Sequence, residues 1–124
     1  MTRSFLLSVA VVFVGYGIAC TIDPLLPARL AGLEIINGDG YAEMSAMYGG
    51  LQTGVGLFCL VAAFRQSLQE SALLLLVLGI GFLAASRAGG ALRSEDIISS
   101  YTWGALAFET LVTALSAGLL LRRR

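Results

Sequence analysis

Four apolar runs, each near the length that crosses a bilayer, constrain this chain more than anything else in it. They cover roughly residues 4–22, 41–64, 71–92 and 101–121, and a span needs about 20 apolar residues. Inside hydrocarbon a single segment satisfies its own N–H and C=O groups only as a helix. The runs therefore predict an all-α fold, a membrane-embedded antiparallel four-helix bundle in one domain of 124 residues. Composition agrees: 13% of residues are charged and 57% hydrophobic, whereas soluble domains carry about 25% charged residues.

The connections between the second, third and fourth spans are short, and the first runs over residues 23–40. Asp23-Pro24-Leu25-Leu26-Pro27 ends the first span, because proline lacks a donor and biases the residue before it away from helix. Residues 25–36 mix Leu25, Leu26, Leu30, Leu33, Ile35 and Ile36 with Arg29 and Glu34, which reads as a short helix in the membrane interface. Asn37-Gly38-Asp39-Gly40 reads as a turn before the second span. Residues 65–70 read as a loop and residues 93–99 as a polar turn, with Ser94 placed to cap Glu95-Asp96. Tyr101 and Trp103 suit the aromatic belt at the start of the fourth span.

Met1-Thr2-Arg3 followed by Phe5–Ile18 also has the shape of a signal peptide, and Gly17-Ile18-Ala19-Cys20 weakly matches a lipoprotein cleavage box. Gly17 stands where such a box usually has Leu, and we read the segment as the first span. Arginine placement then orients the chain. With both termini inside, Arg3, Arg65, Arg122, Arg123 and Arg124 share the inner side, while Arg29, Arg87 and Arg93 share the outer side with Asp23, Glu34, Asp39, Glu95 and Asp96. The positive-inside rule favours cytoplasmic termini.

Some chemistries are excluded at once. All eight basic residues are Arg and there is no His, so His-rich metal sites and Ser-His catalysis are ruled out. The formal net charge is zero, which gives no attraction to nucleic acid. No metal site and no cofactor is expected. Cys20 and Cys59 are predicted about 25 Å apart along the membrane normal by helix rise, too far for a disulfide.

The polar residues inside the spans are the candidate site. Glu109 lies about 12 Å into the fourth span by helix rise. An isolated carboxylate there costs about 2.5–3.5 kcal/mol on insertion scales. Thr102, Glu109, Thr113 and Ser116 recur at helical spacing, so their face is expected to look inward. Arg87 is the expected partner. Helical side chains lean toward their own N-terminus, so on antiparallel spans Arg87 leans into the membrane and Glu109 leans back toward it. In the second span Glu43, Met47, Gly50 and Gly54 share a face, and Gly50 with Gly54 is expected to admit a neighbouring helix closely. Gly15, Gly17 and Ala19 form a second small-residue patch in the first span. Tyr41, Ser45, Tyr48 and Gln52 fall on a different face, which puts polar atoms on two sides of the second span.

Together Asp23-Pro24, Glu43 through Tyr48-Gly49-Gly50-Leu51-Gln52-x-Gly54, the basic stop at Arg65, Ser86-Arg87-x-x-Gly90, Glu109 and the terminal arginines resemble the domain of unknown function 4345 family. The resemblance covers nearly the whole chain, and Tyr-Gly-Gly-Leu-Gln is its most specific part. It implies a small four-span protein of the bacterial inner membrane and brings no established activity. The chain is also loosely similar to the DoxX-like four-helix membrane proteins, a likeness of fold that says little about function.

Three functions compete. One is a non-enzymatic membrane protein holding a small apolar or amphipathic ligand, or a partner helix, with Glu43, Tyr48, Gln52, Arg87 and Glu109 lining the site. Its partners would be the lipid bilayer, that ligand or another membrane protein, and it leaves room for an oligomer. The second is a proton-coupled small transporter acting as a dimer, with a membrane carboxylate as proton carrier. The third is a membrane enzyme using Glu43 and Glu109 as acid and base. The first is preferred, because small exporters of this size carry their key Glu in the first span, which is uncharged here, and nothing fixes an enzyme's substrate.

Overall fold

A computed structural model describes residues 1–122 and is all-α, with no strand among the described residues. Arg123 and Arg124, counted above for orientation, lie outside the described residues. Four helices are long and apolar enough to cross a membrane: α1 (Thr2–Ile22), α3 (Gly38–Phe64), α4 (Gln66–Arg93) and α5 (Ser100–Leu121). The short α2 (Leu25–Ala31) lies between the first two. All four long helices expose large apolar side chains, among them Val11, Leu51, Phe82 and Leu111. A helix apolar on its outward as well as its inward face belongs in a core or in hydrocarbon.

The chain divides into two compact units, Met1–Leu68 and Gln69–Arg124. In the first, α1 and α3 pack antiparallel. The inward stripe of α1 is Leu6, Val9, Ala10, Phe13, Gly17 and Cys20, spaced by threes and fours as a packed helix requires. It meets Gly49, Gly56, Cys59, Ala62 and Ala63 of α3. The backbones nearly touch. A Cβ added at Gly56 would lie 2.8 Å from the Val14 amide nitrogen, one at Gly17 2.6 Å from that of Thr53, and one at Gly49 2.5 Å from Thr21 Oγ1. The expected contact at Gly50 and Gly54 is therefore corrected: Gly54 has open space and Gly50 meets only its own helix. Gly49 and Gly56, seven residues apart, line the inward face, whereas Gly50 and Gly54 are turned outward with Glu43 and Met47. Gly17 of the α1 patch behaves as expected, while Gly15 meets nothing.

Local chemistry sets the ends of these elements. Asp23 closes α1, and its Oδ1 accepts a hydrogen bond from the Leu25 amide at 3.1 Å. Asp23 Oδ2 pairs with Arg29, which ties α2 back to the end of α1. The helix in 25–36 is shorter than the apolar pattern predicts, because Gly32 adopts the left-handed conformation (φ 69°, ψ 33°) and ends it after Ala31. Asn37 is a cap rather than part of a free turn: its Oδ1 accepts from the Gly40 amide at 3.0 Å, so α3 starts at Gly38. The expected loop at 65–70 shrinks to Arg65, which leaves helical geometry (φ −121°, ψ 101°) before α4 begins at Gln66. Ser94 Oγ accepts from the Asp96 amide at 3.2 Å, but no helix follows until Ser100.

Both middle spans contain a π-helical turn, Ser45–Gly50 in α3 and Leu76–Ile80 in α4. Such a turn closes i→i+5 rings and takes in one residue more than an α-turn, so side chains beyond it face differently from a continuous α-helix.

In the second unit α4 and α5 are antiparallel. Gly81 sits against Thr113, where an added Cβ would be 3.1 Å from Thr113 Cγ2, and six residues further along α4 Arg87 meets Glu109. Ala72, Leu73, Leu76, Ile80 and Ala84 are buried from α4, and Glu109, Val112 and Ser116 from α5. Cys20 and Cys59 are both buried and unbridged.

Candidate functional site

The centre of the candidate site is a fork of hydrogen bonds between α4 and α5. Arg87 Nη2 donates to Glu109 Oε1 at 2.7 Å, and Arg87 Nε donates to Oε2 at 2.9 Å and to Oε1 at 3.1 Å. This is the bidentate geometry that makes arginine–carboxylate pairs both strong and directional. The side chain of Glu109 is 7% exposed and that of Arg87 is 23% exposed. The carboxylate is sealed, and the guanidinium reaches it from a more open position.

The sequence places these groups through helix geometry. Both side chains sit deep enough in apolar helices that neither could stand alone cheaply, and their opposed lean brings them together. Below Glu109 the same face of α5 continues in hydroxyls. Thr113 Oγ1 donates to the Glu109 backbone carbonyl at 2.8 Å. Ser116 Oγ is fully buried and has no hydrogen-bond partner among the described residues. Above the pair, Arg93 Nε donates to the Gly89 carbonyl at 2.9 Å, which holds Arg93 to its own helix.

The remaining candidates belong to the first unit. Glu43 is exposed on α3, nearly two turns after the Asn37 cap. Tyr48 lies within the π-turn and Gln52 just after it, and both are half-buried. Ser45 Oγ donates to the Tyr41 carbonyl at 3.1 Å, so Ser45 is spent on its own helix. Two features escaped the sequence reading. Thr53 Oγ1 is buried without a partner beside Gly17. The Arg3 guanidinium lies 4.7 Å from the centroid of the Phe64 ring. Helical periodicity alone could have put Thr53 on the Gly49–Gly56 face, four residues past the first glycine.

Outside the spans, the Arg29 guanidinium hydrogen-bonded to Asp23 holds the Asp23 carboxyl below the usual carboxylate range, helped by the Leu25 amide.

Four spanning helices with a buried arginine–glutamate pair define a multi-pass α-helical membrane protein. The chain belongs to the family described as Domain of unknown function (DUF4345), whose model matches residues 1–120. No curated protein and no solved structure matches it.

Proposed function

We propose that the protein is a non-enzymatic membrane protein that holds a small apolar or amphipathic ligand, or a partner helix, at a polar site in the outer half of its helices. Arg87 and Glu109 contribute the polar groups. Its setting is the bacterial inner membrane, with both termini in the cytoplasm. One observation carries the reading: the Arg87–Glu109 pair is sealed on the carboxylate side and open on the arginine side, at 7% and 23% side-chain exposure. A buried ion pair is weak support for stability, since well-packed apolar residues often do as well. A charged fork with an open edge inside an apolar helix pair instead favours a ligand with a polar head and an apolar body. Proton transport is less favoured, because a carboxylate held by two guanidinium nitrogens is poorly placed to load and unload a proton.

The test uses a long-chain carboxylate that carries a photoreactive diazirine, added to the purified protein in detergent. Labelling is expected in α4 and α5 near Arg87, competed by unlabelled oleate and lost when Arg87→Gln and Glu109→Gln are combined. Equal labelling of that double variant would remove the reading.

A further inference from the structure

We infer that Arg3, Phe64 and Arg65 form a headgroup site for an anionic phospholipid at the end of the first unit where α1 begins and α3 ends. The unit Met1–Leu68 segregates its charge. Its four carboxylates, Asp23, Glu34, Asp39 and Glu43, all lie between the end of α1 and the first turns of α3. The opposite end carries Arg3 and Arg65.

Three observations turn this asymmetry into a site. The Arg3 guanidinium is 4.7 Å from the Phe64 ring centroid, so a cation–π contact fixes the first turn of α1 beside the last residue of α3. Arg65 follows directly, at the point where the backbone leaves the helix, with its amide still bonded to the carbonyls of Val61 and Ala62. Both arginines are exposed, and among the described residues neither is in an ion pair. The third observation is that α4 starts at Gln66, so the amides of its first turn add the positive end of a long helix at the same place.

The chemistry selects the ligand. These groups stand at the ends of membrane-spanning helices, at headgroup depth, and Phe64 is 63% exposed, which suits a ring between acyl chain and headgroup. Two uncompensated guanidiniums and a helix N-terminus match a phosphodiester through forked N–H donors. A zwitterionic lipid brings its own cation to the same place, so an anionic lipid such as phosphatidylglycerol is preferred. No residue of the Arg87–Glu109 pair belongs to this headgroup site.

The experiment is native mass spectrometry of the full chain released from detergent with equal phosphatidylglycerol and phosphatidylcholine. The wild type is expected to retain phosphatidylglycerol preferentially. The preference should fall roughly fivefold for each arginine replaced, the factor that corresponds to about 1 kcal/mol per basic residue near a membrane surface. Arg3→Gln with Arg65→Gln should abolish it, and Arg3→Lys with Arg65→Lys should keep most of it, because the charge survives. If the double glutamine variant fails to fold, Arg65→Gln alone must still show the single-arginine loss. An unchanged preference in the glutamine variants overturns the site. So does inorganic phosphate displacing the lipid at millimolar concentration, since the groups would then be a simple anion site. Arg87→Gln with Glu109→Gln should leave the preference intact, and its loss there would move the lipid to the other site.

Discussion

Arg87 grips the carboxylate of Glu109 with two different nitrogens, Nη2 at 2.7 Å and Nε at 2.9 Å, from a position one turn short of Gly90. Because both groups sit in apolar helices, each is the other's compensation. Removing one partner of such a pair typically costs about 3–5 kcal/mol, since the remaining charge is stranded. Glu109→Gln and Arg87→Gln are each expected to lower the unfolding temperature in detergent, with the double variant more stable than the sum of the singles implies. A double-mutant cycle by thermal unfolding measures this coupling. A double variant equal to that sum means the two groups act separately.

The glycines of α3 give a second, sharper contrast. Gly56 faces the Val14 amide across a 2.8 Å gap to its hypothetical Cβ, while Gly54 faces nothing within 4 Å. Gly56→Ala must push two backbones apart and is expected to cost about 1–3 kcal/mol. Gly54→Ala removes only backbone freedom and should be neutral or stabilising by up to about 1 kcal/mol. Equal stability of the two variants in a denaturation series would contradict the packing described here.

These two cases also mark what the sequence could and could not reveal. The spans were legible because apolar length is a one-dimensional property: 4–22 became Thr2–Ile22 and 101–121 became Ser100–Leu121. The Arg87–Glu109 pair was legible because the expense of a charge in hydrocarbon leaves few partners. The glycine face was not. Gly49, Gly50, Gly54 and Gly56 offer two helical stripes, and choosing between them needs the partner helix, whose Gly17 and Val14 decide it. The π-turns at Ser45–Gly50 and Leu76–Ile80 were invisible for a related reason. A wide turn adds one residue to a ring, and tertiary packing rather than local composition selects where. The loop at Arg65 was overestimated because Gln66, Ser67, Gln69 and Glu70 are polar, yet polar residues continue a helix readily when they lie at its first turns.

Orientation rests on the arginines. If the termini are cytoplasmic, single cysteines at Asp39→Cys and Asp96→Cys are expected to react with a membrane-impermeant maleimide added outside, with Cys20 and Cys59 replaced by Ala. Reaction of these sites only after the membrane is opened reverses the topology. Asp39 lies in the first turn of α3 and Asp96 between α4 and α5, both outside the apolar runs.

The Asp23–Arg29 contact should be visible in a titration. Its carboxyl is held below the usual carboxylate range, chiefly by the Arg29 hydrogen bond. A depressed folded-state value means that the contact contributes above the unfolded-state value and is lost as pH falls through the folded one. The tie between α1 and α2 is therefore complete at neutral pH and should fail only under strongly acidic conditions. Arg29→Gln is expected to move the Asp23 midpoint upward in a carbon-13 carboxyl titration in micelles. An unmoved midpoint would show that the Leu25 amide, not Arg29, sets it.

Two hydroxyls on α5, one half-buried and one fully buried, differ in their hydrogen bonding, and thermal stability should register the difference. Thr113 Oγ1 donates to the Glu109 carbonyl at 2.8 Å, whereas Ser116 Oγ, on the same helix and fully buried, has no partner among the described residues. A hydrogen bond made inside a protein contributes about 0.5–1.5 kcal/mol net, while a buried polar group left unsatisfied costs about 1–3 kcal/mol. Ser116→Ala deletes only the unsatisfied oxygen, so it is expected to raise stability by about 1 kcal/mol. Thr113→Val keeps the shape that packs on Gly81 but loses a made bond, so it should be neutral or lower stability by a similar amount. Thr53→Val in the first unit belongs with Ser116→Ala, because Thr53 Oγ1 is likewise buried without a partner. Thermal unfolding of the three variants in one detergent separates the cases. If Ser116→Ala destabilises as much as Thr113→Val, the serine hydroxyl is satisfied by an ordered water, which needs at least two polar partners, and the face below Glu109 is hydrated rather than dry.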